Sequence, residues 1–286
     1  MTNFILGCAN FFYRYGIKNG LPLSNKINNI LETAIDKGIT NLDSALIYEN
    51  NEVEFQISKN LLNKIEVGTK IVLQDIDLRD NNTIDKLLKE LQKSLNLWSK
   101  DQFKYIYCHE TINSKENLEK WLFLDDIFKK NGLCKNTGIS IYSLEDLHYF
   151  QSLKVDRIQF PDNLYWQRKD IFINEVKKLT SVLDVRSIFL QGILVNAPQR
   201  ILSAIPQNLL LHHTKIWNEF NFPKNKLYEI CLTYIKSKKY ENIVFGVENK
   251  EELVELVDGF ENANQFEDFS IFEYKNKDID PRTWKK

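Results

Sequence analysis

Residues 27–45 read INNILETAIDKGITNLDSA, and this segment joins two different hydrophobic periodicities across one glycine. Before Gly38, apolar residues recur three and four positions apart, which predicts a helix with one buried face that ends at the glycine. After Gly38, residues 39–45 form the short, mostly apolar run that is typical of a strand. A helix that leads directly into a strand is part of a repeating βα unit.

The same alternation extends along the whole chain. Eight strands are predicted, at residues 4–8, 39–45, 67–73, 104–109, 136–142, 156–160, 182–189 and 242–247. Helical spacing lies between them, for example in IDKLLKELQKSLNLW (84–98) and in NLEKWLFLDDIFKKNG (117–132), which Gly132 closes. Eight strands, each followed by a helix, predict an α/β fold of the (β/α)8 TIM barrel type. No linker interrupts the pattern, so residues 1–286 are assigned to one domain.

Two further features of the pattern bear on the fold. A doubly wound open sheet is the structural alternative, but it requires a glycine-rich turn such as GxGxxG after an early strand, and the sequence has none.

The long interval at 191–242 predicts a loop over a cofactor followed by helices through 209–220 and 224–240. His212 and His213 lack partners at metal-ligand spacing and are interpreted as a solvated helix turn.

Charge and composition narrow the class of function. The chain has 38 basic and 39 acidic residues, a balance that argues against nucleic-acid or membrane partners and favours a small molecule. Residues 1–16 predict neither a signal peptide nor a membrane anchor, so a cytoplasmic protein is expected, and abundant Asn, Lys and Ile indicate a bacterial source. Oligomeric state stays open. The cysteines have no CxxC spacing and predict reduced thiols without a metal or disulfide: Cys8, Cys108, Cys134 and Cys231.

Polar residues interrupt three successive predicted strands near their ends. Asp43 ends the second strand, Lys70 lies in the third and His109 ends the fourth, while Tyr48 lies in the loop after Asp43. The C-terminal ends of barrel strands open onto one face, and these separations are each about one βα unit long. We therefore expect the four side chains to converge in one pocket.

Such a quartet has a chemical logic. A phenol, with a pKa of about 10, donates protons poorly at neutral pH unless a nearby ammonium stabilises its anion, which is the role predicted for Lys70. Asp43 would keep Lys70 charged, and His109 could hydrogen-bond a carbonyl oxygen held near Tyr48. Each residue alone also fits a structural role, as a cap, strand end, core histidine or packed loop residue. Their order on consecutive strands favours a site that protonates a carbonyl oxygen.

Motifs over nearly the whole chain resemble the aldo-keto reductase family. The resemblance rests on ILGCANFFYRYGI (5–17), AIDKGITNLDSALIYENNE (34–52), VGTKI (67–71), YCHE (107–110), KNTGISIYS (135–143), RIQFPDNLYWQR (157–168), VRSIFLQGIL (185–194) and IVFGVENKEELVELV (243–257). It implies a catalytic tetrad with Tyr48 as general acid in reduction and Asp43, Lys70 and His109 as its partners. It also implies hydride transfer from a nicotinamide cofactor, NADP(H) in preference to NAD(H), and no metal.

Cofactor contacts follow from the same resemblance. Ser140 and Gln159 should bond the nicotinamide carboxamide, although Ile141 stands where the family has an asparagine. Arg186 occupies the position at which many members stack an aromatic ring on the nicotinamide, and a guanidinium can also stack on a flat ring. The loop beneath the pyrophosphate would be formed by Ser187, Phe189, Gln191 and Gly192.

The last strand and helix should hold the adenosine side of the cofactor. Backbone N–H groups of Gly246 and Val247 would bind its phosphate, as helix starts do for anions. Members specific for the 2'-phosphate usually carry basic residues and a helix asparagine here, whereas this chain offers Glu248, Glu252 and Leu256, with Lys250 as the nearby cation. Weakened selectivity or a preference for NAD(H) is therefore the open alternative.

The resemblance implies an aldehyde or ketone substrate, such as a sugar or sugar derivative. The tail KNKDIDPRTW (275–284) is short, as in compact bacterial members, and suggests an open site that Tyr13, Tyr15, Trp166 and Glu110 could line. The departures on the cofactor side leave a rival function open. It is a barrel that senses a cofactor or acts as an interaction subunit, with little or no turnover.

Overall fold

A computed structural model describes residues 2–12, 26–49, 57–74, 76–150, 153–220 and 226–284. Eight parallel strands close into one barrel in chain order, which confirms the predicted (β/α)8 fold. Each predicted strand overlaps an observed one. The strands are β1 Asn3–Gly7, β2 Asn41–Asp43, β3 Glu66–Ile71, β4 Phe103–Cys108, β5 Cys134–Ser140, β6 Arg157–Pro161, β7 Leu183–Arg186 and β8 Asn242–Phe245.

Helices surround the barrel. Within the described residues they are α1 Ala9–Phe12, α2 Ile27–Asp36, α3 Leu46–Glu49, α4 Lys59–Leu62, α5 Asn81–Leu97, α6 Lys115–Lys130, α7 Asp170–Lys177, α8 Gln207–Phe220, α9 Lys226–Ser237 and α10 Lys250–Glu261. The two helices expected between residues 191 and 242 are α8 and α9. The helix that follows β5 in the described residues is not an α-helix. It is the 3-10 helix Glu145–Phe150, in which Leu147 and Phe150 are buried.

Local signals in the sequence explain where these helices begin and end. The Ser114 side chain accepts a hydrogen bond from the Asn117 backbone N–H at 3.0 Å, which satisfies one free donor at the start of α6. Gly38 and Gly132 follow α2 and α6 with φ of 77° and 66°. This left-handed conformation is why both helices end at glycine, as predicted.

Two tyrosines of β4 fill the barrel interior, and glycines on the neighbouring strands make room for them. A Cβ added at Gly68 in β3 would lie 1.8 Å from the Tyr105 ring, and one at Gly138 in β5 would lie 2.3 Å from the Tyr107 ring. Both rings are fully buried. The two small residues are therefore the packing partners of the two large ones.

An ion pair also lies inside the barrel. Arg157 in β6 donates from Nη2 to Oδ1 of Asp184 in β7 at 2.7 Å, and Asp184 is fully buried. The Tyr107 hydroxyl also bonds Asp184, while the Arg157 guanidinium lies 4.6 Å from the centre of the Tyr105 ring. A cavity of about 300 Å³ opens beside Arg157 at the N-terminal end of the barrel, away from the predicted site. The buried charges are thus paired and hydrogen-bonded, as a stable interior requires.

His213 contradicts its interpretation as part of a solvated helix turn. Its side chain is fully buried, and Nε2 donates to the carbonyl of Asn196 at 2.8 Å while Nδ1 accepts from the Tyr165 hydroxyl at 2.9 Å. Burial lowers the pKa of His213 to about 4, which matches a neutral ring with one donor and one acceptor. His212 is also half-buried and contacts the carbonyl of Phe272 at 3.0 Å. The interpretation was wrong because a histidine can also be buried when both ring nitrogens have hydrogen-bond partners, here Tyr165 and Asn196.

Three other properties concern the described residues only. Cys8, Cys108, Cys134 and Cys231 are buried and free. Across the described ranges, no cluster of three or more His, Cys, Asp or Glu side chains is placed to hold a metal ion. No helix in the same ranges has the length and apolar character needed to cross a membrane.

Candidate active site

Asp43 and Lys70 meet at the C-terminal mouth of the barrel. Asp43 is the last residue of β2, and Lys70 lies near the end of the adjacent β3. The Lys70 ammonium donates to the Asp43 carboxylate and to the carbonyl of Ser44, the latter at 2.9 Å. The two side chains are only 3% and 7% exposed. The ammonium and the carboxylate are therefore in contact at a place where little of either side chain is exposed to solvent.

Tyr48 lies above this pair. It belongs to the short helix α3, which is separated from the end of β2 by Ser44 and Ala45, and its ring is half-buried. Lys70 Nζ lies 5.9 Å from the centre of the Tyr48 ring. The phenol ring and the ammonium are thus neighbours at the mouth of the barrel.

A residue that the sequence reasoning missed fixes the helix carrying Tyr48. Oε1 of Glu49 accepts from the Ser44 hydroxyl and from the Trp98 indole N–H, each at 2.8 Å. Burial raises the pKa of Glu49. These contacts tie α3 both to the end of β2 and to the end of α5. Trp98 is the available sequence signal, since a buried indole needs an acceptor.

His109 completes the group. It directly follows β4, and its backbone N–H donates to the carbonyl of Ile71 at 2.8 Å. Its ring lies edge-on to Tyr48, with centroids 5.9 Å apart and planes at 84°. Burial, with the nearby cations Lys70 and Arg186, lowers the pKa of His109 to about 3. The imidazole is therefore neutral at physiological pH and offers one N–H donor.

Tyr105 supports the quartet from inside the barrel. Its hydroxyl lies 3.4 Å from Oδ1 of Asp43, and burial raises the pKa of Tyr105 well above its usual value. It is a neutral donor to the carboxylate that holds Lys70. Tyrosine in the middle of a strand looks like ordinary core, so only the glycine opposite, Gly68, could have signalled this placement.

Ser140 and Gln159 lie on the next strands around the mouth, at paired positions of β5 and β6. Gln159 Nε2 lies 3.4 Å from Oδ1 of Asp43. Its Oε1 is buried and has no hydrogen-bond partner among the described residues. A buried acceptor of this kind needs a donor, which the amide of a carboxamide ligand could provide. Ile141, which follows Ser140, is buried and offers no such group.

Arg186 ends β7 and turns towards Ser140. Its Nη2 donates to the Ser140 hydroxyl at 3.2 Å, and its Nη1 lies 3.4 Å from the Ser187 hydroxyl. The guanidinium also lies 4.5 Å from the centre of the Tyr142 ring. The structure thus brings Arg186 to the same part of the mouth as Ser140 and Gln159.

The loop at residues 187–196 has an unusual backbone. Positive φ angles occur at Ser187 (59°), Leu190 (47°), Gln191 (54°) and Gly192 (93°). Three of these residues carry side chains, so the conformation is strained and depends on its contacts. The Asn196 side chain donates to the carbonyl of Gly192 at 2.7 Å, close to where His213 binds the Asn196 carbonyl.

Other loop contacts anchor its first half. The Asn163 side chain donates to the carbonyl of Ser187 at 3.1 Å. Phe189 stacks on Tyr228 of α9, with ring centroids 5.3 Å apart and planes at 20°. The predicted pyrophosphate loop is therefore held at both ends by residues outside it.

Gly246 and Val247 follow β8 on the other side of the mouth. The Asn10 side chain donates to the carbonyl of Val247 at 3.3 Å, and its Oδ1 is buried without a partner among the described residues. Sequence reasoning missed Asn10. The signal was a polar residue just after the first strand, at the same end as Asp43 and His109.

Side chains of Glu252 and Asn249 bond backbone N–H groups at the start of α10. Oε2 of Glu252 accepts from the Glu248 backbone N–H at 2.9 Å, and Oδ1 of Asn249 accepts from the Glu252 backbone N–H at 2.8 Å. Two donors at the start of the helix are thus already bonded. Lys250 is exposed nearby.

The residues that were predicted to line an open site have different positions in the structure. Trp166 lies 6.1 Å from Tyr142, ring centre to ring centre, and its role in lining the site stays a prediction. Glu110 accepts from the Leu73 backbone N–H at 2.5 Å, which gives it a structural role beyond β3. Tyr13 and Tyr15 lie outside the described residues.

The fold places the chain among barrel proteins with a polar site at the C-terminal mouth. The chain matches the model of the Aldo/keto reductase family over residues 5–277, and it belongs to that family. Membership indicates an oxidoreductase that works with a nicotinamide cofactor. Comparison with curated protein sequences gives no significant match.

Solved aldo-keto reductases share the fold at low sequence identity. One from Bombyx mori, in complex with NADP, is 19% identical with a TM-score of 0.65, and the match covers 96% of this chain and 90% of that one. One from a Medee basin deep-sea metagenome library is 16% identical with a TM-score of 0.61, covering 95% and 90%. One from Brucella melitensis is 16% identical with a TM-score of 0.60, covering 94% and 91%.

Proposed function

We propose that this protein reduces an aldehyde or ketone to an alcohol, with Tyr48 as the proton donor. The observation that carries the proposal is the buried Asp43–Lys70 ion pair beneath the ring of Tyr48. An ammonium held in place favours the phenolate that remains after Tyr48 gives its proton to a carbonyl oxygen.

The other residues have separate roles in this proposal. Asp43 keeps Lys70 charged, and Tyr105 holds Asp43 from below. His109 is neutral and donates its N–H to the carbonyl oxygen, which orients the substrate and polarises the bond. Glu49 positions the helix that carries Tyr48.

Residues of this chain fit a nicotinamide cofactor, which supplies the hydride when bound. Gln159 Oε1 and Asn10 Oδ1 are two buried acceptors without partners among the described residues, one near the quartet and one near Val247. Ser140 and Gln159 would hold the carboxamide. The loop around Gln191 and the backbone after β8 would hold the phosphates.

We assign NADP(H) in preference to NAD(H). Family membership and the NADP complex of the Bombyx mori enzyme support the phosphorylated form. Glu252 opposes it, because its carboxylate lies at the start of α10 and would repel a 2'-phosphate. Lys250 is the cation that could offset this repulsion.

The substrate side favours a small polar carbonyl compound, such as a sugar or sugar derivative. Tyr142 and Trp166 provide aromatic surface beside the mouth, and sugars pack their apolar faces on such rings. Arg186 and His109 provide polar groups next to it.

Purified protein is titrated with NADPH and NADH while tryptophan fluorescence is followed, and then offered a panel of aldehydes and sugars. Tyr48→Phe should lower kcat by about 10²- to 10⁴-fold while leaving the NADPH dissociation constant unchanged. Tyr149→Phe, outside the site, is the matched control. Full activity in Tyr48→Phe would remove the proposed acid.

One observation favours the rival function of a cofactor-sensing or interaction subunit. Arg186 occupies the Ser140 hydroxyl on which the carboxamide should bind. Binding of NADPH without oxidation by any carbonyl in the panel would support this rival. Absence of binding by either nucleotide would exclude both functions.

A further inference from the structure

Among the residues that the structure describes, no acidic side chain forms an ion pair with the cation Arg186. Its polar contacts in the described residues are the hydroxyls of Ser140 and Ser187, and its guanidinium rests against the Tyr142 ring. No carboxylate of the described residues forms an ion pair with it. Lys70 differs, because Asp43 neutralises its charge at contact distance. Within the described part of the chain, Arg186 is therefore a cation in contact with Ser140 whose charge no ion pair offsets.

The position of this charge matters because it lies at the nicotinamide end of the proposed site. Ser140 and Gln159 are register neighbours on β5 and β6, and Pro161 of β6 pairs with Arg186 on β7. The charge reaches across the mouth, since it contributes to the lowered pKa of His109. A ring held between Ser140, Gln159 and the quartet would lie in the field of Arg186.

Charge on the ring changes during the reaction. Hydride transfer to the carbonyl carbon, with the Tyr48 proton going to the carbonyl oxygen, leaves the cofactor ring with one positive charge. The reduced ring is neutral and electron-rich, so a guanidinium attracts it, whereas the oxidised ring is a cation that the guanidinium repels.

We propose that Arg186 makes the site select the reduced cofactor over the oxidised one. This inference rests on the proposed function. The site would then hold NADPH more tightly than NADP⁺, which favours carbonyl reduction and ready release of the oxidised cofactor. Arg186 acts as a specificity-determining residue for the redox state of the cofactor.

The test measures dissociation constants of NADPH and NADP⁺ by calorimetry, without substrate. Wild type should bind NADPH more tightly, and Arg186→Gln should reduce the ratio of the two constants by about tenfold, mainly through tighter NADP⁺ binding, as expected for one screened charge contact. Arg186→Lys keeps the charge and should keep most of the ratio. Lys130→Gln, an exposed residue at the end of α6, controls for net charge.

The outcomes separate the inference from the function on which it rests. An unchanged ratio in Arg186→Gln, with both nucleotides still bound, overturns the role of Arg186 and leaves the reductase proposal standing. Failure of wild type to bind either nucleotide overturns both. Thermal unfolding of each variant checks the fold, and Arg186→Lys supplies the second comparison if Arg186→Gln is unstable. A ratio that falls in Arg186→Lys as far as in Arg186→Gln also contradicts a charge effect.

Discussion

Lys70 and Asp43 form an ion pair that is buried where β2 and β3 end, and the ammonium also donates to the carbonyl of Ser44. Removing one partner of such a pair leaves a charge in a dry site, which costs more than the intact pair contributes. The pair therefore affects stability as well as the proposed chemistry.

Asp43→Asn should lower the free energy of unfolding by about 3–5 kcal/mol, because it leaves the Lys70 charge unpaired. The double variant Asp43→Asn/Lys70→Met should recover much of this loss. Urea unfolding measures both. Asp126→Asn breaks the exposed pair with Lys130 and should cost less than about 1 kcal/mol. A double variant no more stable than Asp43→Asn would contradict the explanation.

The barrel interior should not tolerate added volume opposite its tyrosines. Gly68→Ala and Gly138→Ala place a Cβ 1.8 Å and 2.3 Å from aromatic rings, so each should lose about 1–3 kcal/mol or more of unfolding free energy. Gly246→Ala is the control, since its Cβ meets its nearest neighbour only at 3.7 Å. Equal stability of all three variants in denaturant unfolding would show that the rings move aside freely.

His213 should make stability depend on pH. Its pKa is about 4 in the folded protein and about 6.5 when unfolded, so the unfolded chain binds a proton first as pH falls. The stability contributed by the neutral ring is complete above pH 6.5 and is lost between about 6.5 and about 4, by about 3 kcal/mol.

Unfolding free energies measured from pH 7 to pH 4 test this dependence. His213→Gln should flatten the curve relative to wild type, while His109 contributes a loss of the same sign in both proteins and cancels in the comparison. His148→Gln, at an exposed position, is the matched control. Parallel curves for wild type and His213→Gln would rule out the effect.

Glu252 should weaken binding of a 2'-phosphate. Glu252→Gln removes a carboxylate at the start of α10 and should raise the affinity for NADPH relative to NADH by about two- to fivefold. Fluorescence titration with both nucleotides gives the ratio. Glu251→Gln is the control, because it also removes one negative charge but at an exposed position one residue earlier. An equal effect in that control would point to net charge instead of position.

The sequence predicted the barrel because its information is local and repeated. The hydrophobic pattern of each strand or helix lies within the length of that single element. Gly38 and Gly132 also marked the ends of two helices. The same periodicity placed Asp43, Lys70 and His109 at strand ends. Whether those residues act as assigned stays a prediction.

Other features depend on contacts between distant segments and could not be predicted. Arg157 and Asp184 pair inside the barrel although each alone looked like a polar residue in a strand. His213 is buried because Tyr165 and Asn196 approach it from other elements. The sequence pattern indicates that a residue can be buried. It does not show which distant residue will hydrogen-bond or pair with a buried polar group and so stabilise it.

The strained loop at 187–196 has a practical meaning for anyone who wishes to redesign this protein. Its backbone is held in place partly by His213, which lies on α8 and outside the catalytic quartet. Substitutions along α8 would relax the loop while leaving Tyr48 and Lys70 untouched. If the loop holds the cofactor phosphates as proposed, nucleotide affinity could be tuned from a helix on the outside of the barrel, independently of the proposed carbonyl chemistry at its mouth.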